Sequence, residues 1–205
     1  MLIIGNGKTI TRDANLPFIE DGAVAIEGTR IKEVGATKDM KEKYKDAEYI
    51  DARSGVIMPA FINTHEHIYS AMARGLSIKG YHPKGFLDIL DGQWWTIDRK
   101  LTPEQIRYSA ADTMISCIRN GVTTIFDHHA SFGHIKDSLF TIAEVAKELG
   151  VRSCLCYEVS DRDGMEKARE AVMENAAVIK YALQDDSDML ACPRAFSDRL
   201  SGPPP

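Results

Sequence analysis

Gly55-Val56-Ile57-Met58-Pro59-Ala60-Phe61-Ile62-Asn63-Thr64-His65-Glu66-His67 decides how the whole chain is read. It has the form of a turn, a buried apolar strand, and two histidines one residue apart at the strand's end. Side chains at i and i+2 of a strand leave the same face, so His65 and His67 project together and Glu66 turns away. Two imidazoles aimed at one point suit a borderline-soft divalent ion such as Zn2+, which takes neutral nitrogen ligands. A bare His-x-His is a weak signal, because short motifs recur by chance and two histidines at a strand end often meet only solvent. Its weight comes from what flanks it.

Upstream, residues 1 to about 58 are β-rich. Residues 22–28 and 30–35 read as two short strands joined at Gly28-Thr29, a hairpin. Thr37 through Lys45 reads as a polar helical turn or two, and residues 48–52 as another short strand. Such strands cannot bury both faces alone, so they imply a small sheet packed against something else.

From Ala60 onward, apolar runs alternate with amphipathic helices. Thr102-Pro103-Glu104 is a helix start, with an N-cap, a proline at the first helical position and an acid in the first turn. The helix is predicted to run to about Asn120, with Ile106, Ala110, Met114 and Cys117 on its inner face and Gly121 as its cap. Residues 122–127 form a second β run. A second helix is predicted over about 138–149, with Leu139, Ile142, Val145, Ala146 and Leu149 inward and Gly150 at its end. Residues 151–158 form a third β run. A third helix follows over about 165–183, with Val172, Ala176, Ile179 and Leu183 inward. This alternation predicts an α/β fold, a parallel sheet with helices outside. The long connection from His67 to Leu101 carries Tyr69, Tyr81, Phe86, Trp94 and Trp95, which argues for a folded loop with some helix. A fourth strand is due near Met189-Leu190-Ala191, where the chain turns prolyl and polar.

Composition bounds the function. The 205 residues are 44% hydrophobic and 27% charged, enough for one large domain or two small ones. A net charge of −5 with no basic block disfavours nucleic acid as a partner. No apolar run approaches the ~20 residues of a membrane span, and Met1-Leu2-Ile3-Ile4-Gly5 lacks the basic start and apolar length of a signal peptide. The cysteines (Cys117, Cys154, Cys156, Cys192) form no CxxC pair, and Cys154 and Cys156 read as small core residues in an apolar run. The expectation is a reduced, cytoplasmic protein.

The quoted stretch closely resembles the first-strand signature of the amidohydrolase superfamily. The Gly28-Thr29-Arg30-Ile31-Lys32-Glu33-Val34-Gly35 hairpin resembles that family's N-terminal half-sandwich. Gly121-Val122-Thr123-Thr124-Ile125-Phe126-Asp127-His128-His129-Ala130-Ser131 resembles its second strand in the branch of chlorohydrolases and N-heterocycle aminohydrolases, nearest the SsnA-type aminohydrolases. The resemblance implies a TIM-like (β/α)8 barrel behind half of a small β-sandwich. The sandwich half would occupy residues 1–58, the first three to four β/α units residues 59–190, and a non-matching tail residues 191–205.

The resemblance also implies one or two divalent ions, zinc foremost and iron as the alternative, held in part by His65 and His67. It implies hydrolysis at carbon bonded to nitrogen or halide in a cyclic amidine or N-heterocycle, by deamination, dechlorination or ring opening. The metal would lower the pKa of water and polarise the carbon under attack. Site residues of barrel enzymes sit at the C-terminal ends of the strands, which makes His128 and Glu158 candidate substrate contacts. One of Trp94 and Trp95 is expected in the core and the other, assigned as Trp95, on the pocket wall, where a flat heteroaromatic would stack. Asp161-Arg162-Asp163-Gly164 reads as a turn.

Two small departures stand out: Ala60 where the signature more often has glycine, and Glu66 where an uncharged residue is common. The larger one is that the family's further histidines, its aspartate and its acid/base glutamate belong to later strands. The chain is therefore expected to be the N-terminal half of a ~440-residue enzyme. The alternative is a truncated, inactive fragment acting only as an association partner through exposed strand edges and apolar faces. The expected partner is a small N-heterocyclic substrate, with no membrane; homo-oligomers are compatible with both readings.

Overall fold

A computed structural model describes residues 1–187 and 189–190. The chain divides between Ala60 and Phe61 into two compact units. The tail expected at 191–205 lies outside the described residues.

The first unit is one sheet and one helix. Its strands are β1 (Leu2–Ile10), β2 (Phe18–Glu27), β3 (Arg30–Ala36), β4 (Glu48–Asp51) and β5 (Val56–Ile57), with α1 (Thr37–Lys43) between β3 and β4. The order is β3-β2-β1-β4, with β5 also on β1. The β2–β3 hairpin turns at Gly28, whose φ of +59° suits glycine. Ile3, Ala23, Ala25 and Met40 form the core. Thr37 ties the helix to two strands: its Oγ1 accepts from Asn6 N at 2.9 Å and donates to Gly22 O at 3.0 Å. The central strand is β1, whose opening residues the sequence reading weighed only as a leader.

The stretch quoted at the outset is not one strand. It breaks at Met58-Pro59-Ala60: β5 pairs with β1, and β6 (Phe61–Glu66) opens the second unit. Proline has no N–H to donate to a ladder, so the break falls there. Nor is the apolar run buried. Phe61 is 55% and Ile62 60% exposed, because β6 is an outer strand of its sheet.

The second unit carries the predicted alternation. Strands β6, β7 (Val122–His129) and β8 (Arg152–Tyr157) are parallel and in that order. Leu190 bridges to Ser153 in parallel, which places the first residues of the expected fourth strand. Between β6 and β7 run a 3-10 turn (Ile68–Ala73), α2 (Phe86–Ile89), a π-helical turn (Leu90–Trp94), α3 (Trp95–Asp98) and α4 (Pro103–Arg119). After β7 come α5 (Ser138–Leu149) and, after β8, α6 (Met165–Leu183). Thr102 and Gln105 form a capping box: Thr102 Oγ1 accepts from Gln105 N, and Gln105 Oε1 accepts from Thr102 N. The inner faces of α4 and α5 are those predicted, with Leu149 half-buried.

The α6 face is not. Ala168, Ala171, Glu174 and Val178 are buried, whereas Val172 is 51% exposed and Ala176, Ile179 and Leu183 also lie outside. Small residues let the helix approach the sheet closely, and the sequence reading weighted apolar bulk instead. Phe86 is also exposed, so the aromatic cluster of the long connection excludes it. The three helices cover the sheet face bearing Ile125, Asp127, His129, Ser153 and Tyr157. Strand alternation puts Phe126, His128, Cys154 and Cys156 on the other face. Cys156 is exposed and Cys154 half-buried, which corrects their reading as core residues. No helix among the described residues is long and apolar enough to cross a membrane.

Candidate active site

The site is built on a bulge. The β6–β7 register shifts between Asn63 and Glu66, so three residues of β6 span two of β7. The shift brings Asn63 and Glu66 to one face, where Asn63 Nδ2 donates to Glu66 Oε2 at 2.7 Å. Glu66 Oε1 also accepts from His67 N at 3.0 Å. On the open face His65 and His67 converge, with Nε2 atoms 3.0 Å apart. His67 Nδ1 lies 3.0 Å from the carbonyl oxygen of His128. The carbonyl can only accept, so Nδ1 carries the proton and donates to it, which leaves the Nε2 lone pair toward His65, the arrangement that orients metal-binding imidazoles. This donor pair fits a divalent ion such as zinc. Among the described residues no group of three or more His, Cys, Asp or Glu is placed to hold one.

His65, His67 and His128 line one open cavity of about 520 Å³ with Thr64, Phe126 and Cys156. The His128 ring stands edge-on to His67 at 5.6 Å, and burial holds its pKa below the usual imidazole value. Beneath them, Asp127 Oδ1 accepts from Ile68 N at 2.7 Å, tying down the backbone just after His67. Asp127 Oδ2 is buried without a hydrogen-bond partner, and burial pushes the carboxyl up to about 8. His129 points the other way. It is fully buried, its Nε2 is 3.1 Å from Ser131 Oγ, and burial pulls its pKa down to about 3. It is a core histidine.

Glu158 and Trp95 do not line that cavity. They gather around Arg162, whose Nε donates to Glu158 Oε1 at 2.9 Å and whose guanidinium lies 5.1 Å from the Trp95 ring centroid. Tyr69 lies 6.1 Å from His67 and 6.4 Å from Trp94, ring to ring. Burial is the main cause that pushes its phenol up to about 12. Trp94 and Trp95 are both half-buried, so neither is a plain core residue. The sequence reading missed Arg162 and Asp98. Arg162 sits in the expected turn, and a turn arginine ordinarily faces solvent. His82 is exposed, and His134 is half-buried in the β7–α5 loop.

The amidohydrolase family profile matches residues 56–191, two-thirds of the chain. The chain belongs to the amidohydrolase family. A 5'-deoxyadenosine deaminase of Methanocaldococcus jannaschii is 31% identical over 153 residues, covering 75% of this chain and 33% of that protein. A 5-methylthioadenosine/S-adenosylhomocysteine deaminase of Pyrococcus furiosus is 29% identical, covering 93% of this chain and 40% of its own. Among solved structures, E. coli guanine deaminase matches with a TM-score of 0.75 at 20% identity, covering 94% of this chain and 46% of that one. Atrazine chlorohydrolase from Arthrobacter aurescens TC1, solved with zinc, matches at 0.73 and 21% identity over 94% and 46%. The chain thus spans between a third and just under half of the length of these relatives. The family fixes the parallel sheet as barrel architecture, and no closed barrel is present among the described residues.

Proposed function

We propose that this amidohydrolase-family protein hydrolyses a carbon–nitrogen bond of a small, flat nitrogen heterocycle with the help of a divalent metal, zinc foremost. The reading is carried by one observation: two imidazole Nε2 atoms 3.0 Å apart, one of them oriented through its Nδ1 by a backbone carbonyl. His65 and His67 would hold the ion. When bound, it supplies an activated water and polarises the carbon under attack. The chain's own residues do the rest. His128 stands beside His67 to contact the heterocycle, Trp95 offers a stacking face and Glu158 a hydrogen-bond acceptor for ring or exocyclic N–H groups. Relatives described as deaminases of adenosine derivatives and of guanine support this substrate class.

The test is metal content and turnover of wild type against H65A/H67A, with adenosine, guanine and an s-triazine as substrates. Stoichiometric zinc lost in the double variant, together with ammonia or chloride release by wild type, is the expected result. Unchanged zinc content in H65A/H67A would sink the assignment. A second reading, an association partner without turnover, is favoured by exposed Phe61, Ile62 and Phe126 on or beside the open sheet. A metal-free chain of oligomeric mass that turns over none of the substrates would select it.

A further inference from the structure

Asp98-Arg99 at the end of α3 and Arg162-Asp163 after β8 are dipeptides of opposite charge order, and they pair residue for residue. Arg162 Nη2 donates to Asp98 Oδ2 at 2.5 Å, and Arg99 Nη2 to Asp163 Oδ1 at 2.6 Å. A third segment closes on the same point. Gly133 N donates to Asp98 O at 3.4 Å, and a Cβ on Gly133 would come within 2.2 Å of Arg99 O. The Arg162 side chain is 7% and the Asp98 side chain 0% exposed. The guanidinium lies 3.7 Å from the Phe132 ring centroid while its other contacts are Trp95, Asp98 and Glu158.

A buried ion pair with carboxylates on two sides is poor value as a stabiliser, since desolvation cancels much of the attraction. A loop-pinning role would need only Arg99 and Asp163. Arg162 does something more specific. A planar fork with two flat faces can hold two carboxylates and stack on rings at once, which an ammonium cannot. Two of its partners, Trp95 and Glu158, are residues that the proposed function sets against the heterocycle, and Glu158 follows directly on β8, where its N–H donates to the His129 carbonyl at the end of β7 at 2.8 Å.

We propose that Arg162 is a positioning residue that sets the Trp95 indole and the Glu158 carboxylate as the specificity-determining wall for a flat nitrogen heterocycle, an assignment that rests on the reading of the site given above. Trp95 lies on α3 and Glu158 just after β8, two segments far apart in sequence, and Arg162 is the side chain that touches both. Glu158 Oε1 is held by Arg162 Nε at 2.9 Å. Trp95 is held at the start of α3, directly after a π-helical turn, a distortion common at functional sites.

The chain has two tryptophans, so W94F leaves Trp95 as the sole indole reporter. In that background the experiment compares the parent with R162K and with D98L/R162L, which removes both buried charges and is expected to fold. Far-UV circular dichroism and thermal melting establish that each variant is folded. Acrylamide quenching of Trp95 should rise about twofold in both folded variants, because lysine cannot replace the stacked fork. Adenosine titrated against Trp95 emission should bind the parent and bind the variants at least about tenfold more weakly. Trp95 equally shielded in folded D98L/R162L would overturn the positioning role, as would adenosine affinity equal to the parent's. A parent that binds no adenosine would instead count against the substrate class, and the quenching curves would still decide whether Arg162 holds Trp95.

Discussion

Asp127 shows how much of a site can sit one residue away from its visible motif. Its Oδ1 fixes the Ile68 amide, and the His128 carbonyl beside it fixes the His67 ring. The end of β7 therefore orients the second histidine twice, once through the backbone and once through the imidazole. Asn at position 127 keeps an oxygen acceptor of the same reach; Leu removes it and leaves a buried amide unpaired. Where His67 holds zinc as proposed, zinc affinity by calorimetry is expected to stay within about threefold in D127N and to fall at least about tenfold in D127L, the range seen when groups behind a metal ligand are lost. Equal affinity in the two variants would show that the Ile68 tether does not position His67. At this scale the meeting of His65 and His67 was legible from their spacing, whereas the bulge before Glu66 and the end of β6 at that residue were not. Nor were Asp98 and Arg162: their pairing joins positions 64 apart, and nothing local in an Asp-Arg-Asp-Gly turn signals burial.

At the scale of elements, local signals sufficed wherever backbone chemistry decided the outcome. Thr102, Pro103, Gly121 and Gly150 punctuate α4 and α5 where their capping chemistry says they should. The signals failed where packing decided, as on α6, whose buried stripe includes an acid. Glu174 accepts from Asp137 N and Leu139 N, both at 2.9 Å, and so caps α5 from another helix. Removing it leaves the buried Leu139 N–H and the partly exposed Asp137 N–H without their acceptor, and E174A should lose about 2 kcal/mol in urea unfolding. Gly133 is an equally tertiary requirement. G133A drives a Cβ into the Arg99 carbonyl and should lose about 1–3 kcal/mol. The Arg99–Asp163 pair carries its own pH signature. Arg99 holds the Asp163 carboxyl below its usual value, so the folded state releases that proton more readily than the unfolded chain. Its stabilisation is present above the unfolded pKa of about 4 and fades as pH falls below that value. The stability gap between wild type and D163N should accordingly be below about 1 kcal/mol at neutral pH, as for a partly exposed pair, and should close in acid.

Across the described residues there are two buried clusters: Ile3, Ala23, Ala25 and Met40 make one, and the residues around Ile106, Met114, Ile125 and Leu139 the other. The sequence changes period near Pro59, from hairpin strands to strand–helix alternation. It could not disclose that β1 is the hub of the first sheet, since a strand's rank depends on partners far along the chain. A 60-residue unit buries a smaller share of its surface than a larger one and is correspondingly marginal. Its four-residue core includes two alanines, so Ile3 and Met40 supply most of the apolar volume. Truncating Ile3 removes about 2–5 kcal/mol, which approaches the whole stability such a unit can hold. In I3A, hydrogen exchange is therefore expected to lose protection along β1, β2 and β3 together, while α4, α5 and β7 keep theirs. M114A should do the reverse, exposing the amides of α4 and β7 and sparing the β2–β3 hairpin. Loss of protection in both units from either single substitution would mean that they fold as one cooperative body, and the separate cores would then not be separate in energy.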